Sequence, residues 1–281
     1  MLFELSLGIG ITIIIIAFFA EYVDSTLGMG YGTTLTPVLL LFGFKPMDIV
    51  PAVLLSELIT GLLAGFTHHS VGNVNFKPAT MNLKKIYLAI KNLGVSESFK
   101  LGVPNNLKVA LLIGSCSIVG TVIAVFVAIN IPGFYQKLYI GILVLMIGAV
   151  ILLTLNKNYG FSWKKITGLS LIASFNKGIS GGGYGPVVTG GQLLAGIEGK
   201  KVIGITSLAE GLTCIVGVAV YLLTKSTIDW KLAPYLIIGA VASVPISAIT
   251  VKKITTGKLR FIIGIVTVVL GLATLGKLFL L

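Results

Sequence analysis

The stretch "DSTLGMGYGTT", residues 24–34, interrupts what otherwise looks like a membrane-spanning helix. Sixteen mostly apolar residues, 5–20, lead into it, followed by an acid, three glycines in five positions and four serine or threonine hydroxyls. Glycine is among the poorest helix formers. A bilayer tolerates a broken backbone only where the break is buried in protein or lines a wet cavity. The stretch therefore predicts a helix break at a buried or water-lined position.

The composition of the whole chain predicts an all-α polytopic membrane protein. Its 281 residues are 56% hydrophobic and only 11% charged, and the mean hydropathy is +1.03. Several apolar runs are long enough to cross a bilayer. Lys and Arg outnumber Asp and Glu by 21 to 9, an excess that orients loops in membrane proteins and here indicates no nucleic-acid partner. The two cysteines, Cys116 and Cys214, lack metal-ligand spacing, so we expect no metal site.

Ten apolar runs and one long polar loop organise the chain. The loop, residues 67–107, contains "ATMNLKKIYLAIKNLG", in which an apolar stripe recurs at helical spacing with lysines on the other faces. This pattern predicts an amphipathic helix on the membrane surface, with regulation or partner binding as the alternative. The runs fall near residues 3–23, 28–44, 47–66, 108–129, 137–155, 166–176, 181–197, 200–224, 231–251 and 259–280.

The opening stretch occurs twice in the chain. "GMGYGTTLTP" begins at residue 28 and "GGGYGPVVTG" at residue 181, which is an offset of 153 residues. The same offset pairs Glu57 with Glu210, and a shared acid inside apolar runs is hard to obtain by chance. We therefore predict two structural repeats, residues 1–155 and 156–281.

The placement of lysine and arginine predicts the relation between these repeats. If each repeat crosses the membrane five times, the repeats are inverted and one side carries 15 of these residues against 5 on the other. Four crossings would make the repeats parallel and the split 12 against 8. The positive-inside rule favours inverted repeats in the plasma membrane, with the loop 67–107 cytoplasmic and both termini outside.

A helix that restarts after a break points free N–H groups and a positive dipole end at the gap, which suits an anion. Two such breaks from inverted repeats would meet near the midplane and form a transporter site. Close packing through small residues is the alternative interpretation. The predicted substrate-binding residues are Gly28, Gly30, Tyr31, Gly32, Thr33, Asn176, Lys177, Ser180, Gly181, Gly183, Tyr184 and Gly185.

Acids within the apolar runs are candidates for ion coupling. Glu57 and Glu210 are either proton carriers or ion ligands, or structural carboxyls that cap the broken helices. Asp24 aligns with Lys177 at the same offset. These two charges could neutralise each other, Lys177 could attract the substrate, or both could snorkel to water. We expect His68 to be solvated, like its neighbour, at a helix end.

Additional hydroxyl donors and the absence of enzyme motifs complete the pattern. The hydroxyls of Ser25, Thr33, Thr34, Ser180, Thr206 and Ser207 could bind an oxyanion. No phosphate-binding loop is present, so transport would be secondary and would need no cofactor. The spans contain neither a Ser-His pair nor an H-E-x-x-H motif, which argues against an enzyme.

These motifs together resemble the TauE/SafE sulfite exporter family, also called the 4-toluene sulfonate uptake permease family. The resemblance rests on the acid-containing first span, the break leading to "TP", the duplication, and the echo of "VNF" at 74–76 in "IDW" at 228–230. It implies a membrane carrier for sulfite, thiosulfate or sulfonates, with the paired glycine motifs at 28–32 and 181–185. Lys177 departs from the family pattern. Family members often have few basic residues in the first motif region, whereas in this chain the second motif region carries this lysine.

The sequence therefore predicts a secondary transporter of small sulfur-containing anions in the lipid bilayer, with H⁺ or Na⁺ as the coupling ion. A passive anion channel lined by the same helix ends is the alternative. Assembly into a homo-oligomer is left open.

Overall fold

The computed structural model describes residues 7–28, 30–153, 163–194, 197, 199–224, 228–251, 253 and 257–280. The predicted repeat boundary between residues 155 and 156 lies outside these ranges. The regular elements in the described ranges are all helical, in agreement with the predicted class. They are α1 (Leu7–Leu27), α2 (Tyr31–Leu41), α3 (Pro46–Ser70), α4 (Leu83–Gly102), α5 (Asn105–Asn130), α6 (Gly133–Leu153), α7 (Trp163–Ser180), α8 (Gly185–Leu194), α9 (Gly199–Leu223), α10 (Ala233–Val251) and α11 (Gly257–Leu280).

Six helices in the described part of the chain are long and apolar enough to span a membrane. They are α1, α3, α5, α6, α9 and α10. By contrast, α2 has 11 residues and α8 has 10. At 1.5 Å per residue, each is about 15 Å long, roughly half of the 30 Å hydrocarbon core. The two runs that begin with the glycine motifs, 28–44 and 181–197, thus contain half-length helices.

Helices α1 and α7 extend beyond the apolar runs that predicted them and take in charged residues. The first run ends at residue 23, but α1 continues to Leu27 and buries Asp24 and Ser25. The run 166–176 lengthens to the 18 residues of α7, which includes Lys177. These polar side chains stay in the helices because other parts of the protein supply their partners.

Close contacts between small residues set the helix packing. A Cβ at Gly61 would lie 2.9 Å from Cα of Gly211, so α3 and α9 approach backbone to backbone. Gly239 of α10 packs in the same way against the carbonyl group of Ile14 in α1. Such contacts are the usual basis of helix association in membranes, where burial of apolar side chains gives little advantage over lipid.

The amphipathic helix predicted in the loop 67–107 is α4. The Asn82 side chain caps its N-terminus by accepting from the backbone N–H of Lys84 at 3.0 Å. The helix runs on to Gly102 past a kink at Gly94, where φ is 77°. Not one residue of α4 is buried. Large apolar side chains on it are exposed, including Leu83 at 81% and Val95 at 71%.

Candidate functional site

Both predicted helix breaks are present, and each leads into the N-terminus of a half-length helix. Gly28 and Gly30 take φ values of 62° and 87° before α2 begins. Gly181 and Gly183 take φ values of 72° and 76° before α8 begins. Positive φ is costly for residues with a Cβ and free for glycine. The alternate glycines therefore turn the chain sharply enough for a helix to stop and another to start.

The two breaks contact each other directly in the centre of the protein. A Cβ at Gly32 would collide with the carbonyl oxygen of Gly181, and a Cβ at Gly182 would lie 2.8 Å from the carbonyl of Gly32. Gly185 packs against the backbone of Gly30. The backbone N–H of Gly183 donates to Thr33 Oγ1 at 2.9 Å across the junction. The N-termini of α2 and α8 therefore lie side by side.

Side chains of α1 and α3 accept the backbone N–H groups around the start of α2. Asp24 Oδ1 accepts from Gly30 at 2.6 Å, and Glu57 Oε1 accepts from Gly32 at 3.2 Å. A carboxylate at a helix N-terminus satisfies an orphan donor and complements the helix dipole. The alternative prediction that Glu57 caps the broken helices fits this geometry. Two of the N–H groups expected to face an anion, those of Gly30 and Gly32, are thus occupied by the protein's own acceptors.

Lys177 lies at the centre of the site between the two equivalent glutamates. Its Nζ donates to Glu210 Oε1 at 2.5 Å and forms an ion pair with Glu57 Oε1. The lysine is 0% exposed, so the alternative in which it snorkels to water is wrong. Asp24, Glu57 and Glu210 each place one oxygen within 4.8 Å of the others. The structure thus gathers all four predicted charges into one buried cluster.

Glu21 is a fourth carboxyl beside this cluster, and the sequence analysis missed it. It is 2% exposed and accepts from Ser25 Oγ at 2.6 Å and from Thr60 Oγ1 at 3.1 Å. An acid one helical turn before Asp24, inside an apolar run, was the signal that could have identified it. The Ser25 hydroxyl, predicted to face an oxyanion, is bound to this carboxylate instead.

The remaining predicted site residues surround the breaks. The fully buried Tyr31 accepts from Ser56 Oγ at 3.3 Å, and its repeat partner Tyr184 accepts from Thr213 Oγ1 at 3.2 Å. These hydroxyls bond to helices α3 and α9 rather than facing the junction. The other polar contacts join Asn176 Oδ1 to Tyr139, Ser180 Oγ to Asn176 and Gly182, Thr34 to Tyr31, Thr206 to Thr189 and Gln192, and Ser207 to Ile203.

Comparison with known proteins assigns the family. The model of the family described as "Sulfite exporter TauE/SafE" matches residues 13–83 and 85–274. The chain belongs to the TauE/SafE family. It is also 24% identical over 261 residues to the "Probable membrane transporter protein YtnM" of Bacillus subtilis (strain 168), covering 89% of this chain and 77% of that protein. No solved structure matches it.

Family membership confirms the broad predictions about the protein. This TauE/SafE protein is a multi-pass membrane transporter, as its apolar helices and the resemblance in its motifs predict. Its central cluster places four carboxyls beside one buried ammonium group. Carboxyl groups therefore outnumber cations in this cluster, and acids inside a membrane protein generally mark ion or proton pathways.

His68 corrects one prediction about this TauE/SafE protein. We expected it to be solvated, yet it is 0% exposed at the end of α3. Asn73 Nδ2 donates to the Ala248 carbonyl at 2.9 Å and to His68 Nδ1 at 3.0 Å, so Nε2 carries the ring proton. That N–H donates to the Ser25 carbonyl at 2.9 Å. The histidine is therefore a neutral cap on the end of α1, where helix carbonyls lack partners.

Proposed function

We propose that this protein is a secondary carrier for small sulfur-containing anions such as sulfite, thiosulfate or organosulfonates, coupled to a proton or another cation. The observation that carries the proposal is the meeting of the N-termini of α2 and α8 beside the ammonium group of Lys177. Helix N-termini and a buried cation attract an oxyanion. The carboxyls of Asp24, Glu57 and Glu210 are the proposed coupling groups, which matches the proton-exchange capacity of buried acids.

We propose further that the two halves are inverted repeats, with each broken helix contributing half of the site. Lys277, near the end of α11, donates to the carbonyls of Leu40 and Leu41 at the end of α2, close to the start of α3. Val188 of α8 belongs instead to the same buried apolar cluster as Val74, just past the end of α3. These two placements support half-helices that extend toward opposite ends of α3, as inverted repeats require.

The tight contact between the breaks supports a carrier over a passive channel. Backbone atoms of Gly32 and Gly182 meet with no room for a Cβ, so this conformation has no open path between them. A carrier needs such a closed state at its centre, since alternating access opens one side at a time. A channel would hold these helix ends apart around a pore.

We propose that the side of the membrane bearing the loop 67–107 is cytoplasmic and that α4 lies on that surface. Apolar side chains such as Leu83 and Tyr87 are exposed on a helix that also carries Lys84 and Lys91. Insertion of the apolar stripe between lipids, with the lysines near anionic headgroups, would cover this surface. The count of 15 basic residues on this side against 5 on the other supports the same orientation, with both termini outside.

Flux in proteoliposomes tests the proposed function. We expect purified protein to give saturable uptake of labelled sulfite, thiosulfate or a sulfonate above that of empty vesicles. Lys177→Gln should lower this flux by about 10-fold or more, because a charged hydrogen bond contributes about 1.5–3 kcal/mol. Lys164→Gln, an exposed lysine on the same helix, is the matched control and should leave the flux unchanged.

Two results would contradict the proposal. The first is flux of all three anions no greater than that of empty vesicles. The second is that no imposed ion gradient drives the anion against its own concentration gradient, while unitary currents are observed. That result would favour the channel.

A further inference from the structure

The central site is already filled by groups of the protein that have the chemistry of a substrate. The Glu57 carboxylate accepts from the Gly32 N–H, at the N-terminus of α2, and pairs with the Lys177 ammonium group. A helix N-terminal amide and a buried ammonium are the two donors that an incoming oxyanion would need. A substrate can use them only after this carboxylate withdraws.

The second oxygen of the same carboxylate has no partner. Glu57 is 1% exposed, and its Oε2 accepts no hydrogen bond in the described part of the chain. Buried carboxylate oxygens are normally satisfied, and an exception suggests a functional role. Thr36 Oγ1 is equally unpartnered and lies at the junction, 3.2 Å from where a Cβ of Gly181 would sit. The site therefore has one free acceptor and one free hydroxyl.

We propose that Glu57 is an internal stand-in for the substrate anion, and that a proton binding at Oε2 releases it so that the substrate takes its place. This deepens the proposed function, on which it rests. Protonation removes the carboxylate's charge and its attraction to Lys177, and an oxygen of the substrate then accepts from the Lys177 ammonium and the Gly32 N–H. The Thr36 hydroxyl becomes a further donor. The only bond formed is the O–H bond of the Glu57 carboxylic acid, whose proton comes from water, so one proton enters the site with each anion.

Glu210 has a different part in this exchange, although it is the repeat partner of Glu57. Its Oε1 accepts from Lys177 at 2.5 Å, and among the described bonds it contacts neither break. It therefore keeps the ammonium charged and in place when Glu57 leaves. The charged and titratable groups that face Glu57 are Glu21 and Asp24 on α1, Tyr31 on α2, Lys177 on α7, and Glu210 and Cys214 on α9.

Lys177 explains why the exchange would be confined to the first repeat. Its position is equivalent to that of Asp24, which caps the Gly30 N–H of its own break. An ammonium group cannot accept from the equivalent Gly183 N–H, which bonds to Thr33 instead. The N–H at the second break therefore bonds to a neutral hydroxyl, that of Thr33. The exchangeable carboxylate, that of Glu57, lies at the first break.

The experiment uses proteoliposomes and labelled thiosulfate, with the membrane voltage held at zero by valinomycin and equal potassium. If one proton moves with each anion, transport by the wild type stops when the anion concentration ratio equals the proton concentration ratio. Each pH unit imposed should therefore give a tenfold accumulation of thiosulfate. Glu57→Gln, which mimics the protonated acid, should give no accumulation beyond the anion gradient. Glu97→Gln, which removes an exposed carboxylate on α4, outside the site, is the control, and its accumulation ratio should stay near tenfold.

A second measurement keeps the proposal testable if Glu57→Gln fails to fold or to transport. Thiosulfate binding to the wild type in weakly buffered detergent solution should take up one proton per anion, reported by a pH indicator. If the wild type transports thiosulfate but shows neither accumulation nor proton uptake, the role of Glu57 is refuted while the proposed function stands. Tenfold accumulation by Glu57→Gln would refute that role in the same way. Absence of any wild-type flux or binding with sulfite, thiosulfate and a sulfonate would instead overturn the proposed function.

Discussion

Substituting Gly32 by alanine is the sharpest test of the contact between the two breaks. The added Cβ would collide with the carbonyl oxygen of Gly181 and lie 3.1 Å from the nitrogen of Gly182. Both are backbone atoms, so no rotamer change can relieve the overlap. Gly32 lies in α2 and its φ is not positive, so the alanine suffers no conformational strain of its own. The substitution therefore isolates the contact.

The expected loss follows from the cost of overpacking. Inserting a methyl group into a well-packed core costs typically about 1–3 kcal/mol, and a rigid backbone neighbour puts this site at the upper end. The better helix propensity of alanine offsets up to about 1 kcal/mol of that loss. We expect Gly32→Ala to lower the free energy of unfolding by about 2 kcal/mol. That corresponds to a fall in Tm of roughly 4–8 °C.

Thermal unfolding in detergent measures this loss directly. A thiol-reactive dye reports unfolding, because Cys214 is 0% exposed in the folded protein. Gly168→Ala is the matched control, since a Cβ there meets nothing within 4 Å and the helix is retained. Its Tm should be unchanged or slightly higher. If Gly32→Ala unfolds at the same temperature as Gly168→Ala, the two breaks are not in contact.

Three further substitutions test other parts of the structure. Lys177→Met should lower the free energy of unfolding by about 3–5 kcal/mol, because it leaves buried carboxylates unpaired. Adding Glu57→Gln removes one of these charges and should restore part of the Tm. Equal Tm values for the single and double variants would contradict this. Asn73→Ala should cost about 1–3 kcal/mol in thermal unfolding by removing two buried hydrogen bonds, and an unchanged Tm would refute that role. In vesicles of anionic brominated lipid, Tyr87→Trp should be quenched more strongly than Lys85→Trp, whereas equal quenching would argue against membrane contact by α4.

The helices and breaks could be predicted because they depend on local signals. Long apolar runs identify α3 and α5, and alternate glycines identify the breaks at 28–32 and 181–185. The match at an offset of 153 residues also pointed to Glu57 and Glu210 as a pair, and the structure brings both to Lys177.

The partners of the polar groups could not be predicted, because they depend on distant parts of the chain. His68 looked like a solvated residue at a helix end, yet the carbonyl of Ser25, 43 positions away, gives it a buried partner. The Gly183 N–H bonds to Thr33, 150 positions away. Helix-end donors were expected to await a ligand, and the sequence left capping by Glu57 open as one alternative without indicating which N–H it would take.

The half-length of α2 and α8 also bears on how the protein is made. Each is about half as long as the membrane core is thick, and the two breaks that meet lie 153 positions apart in the sequence. At about 5–20 residues per second, the ribosome adds the second segment roughly 8–30 s after the first. Throughout that interval the first break has no neighbour and Glu57 has no ammonium partner. Until the second half arrives, the first half therefore contains an incomplete junction and an acid without its cation.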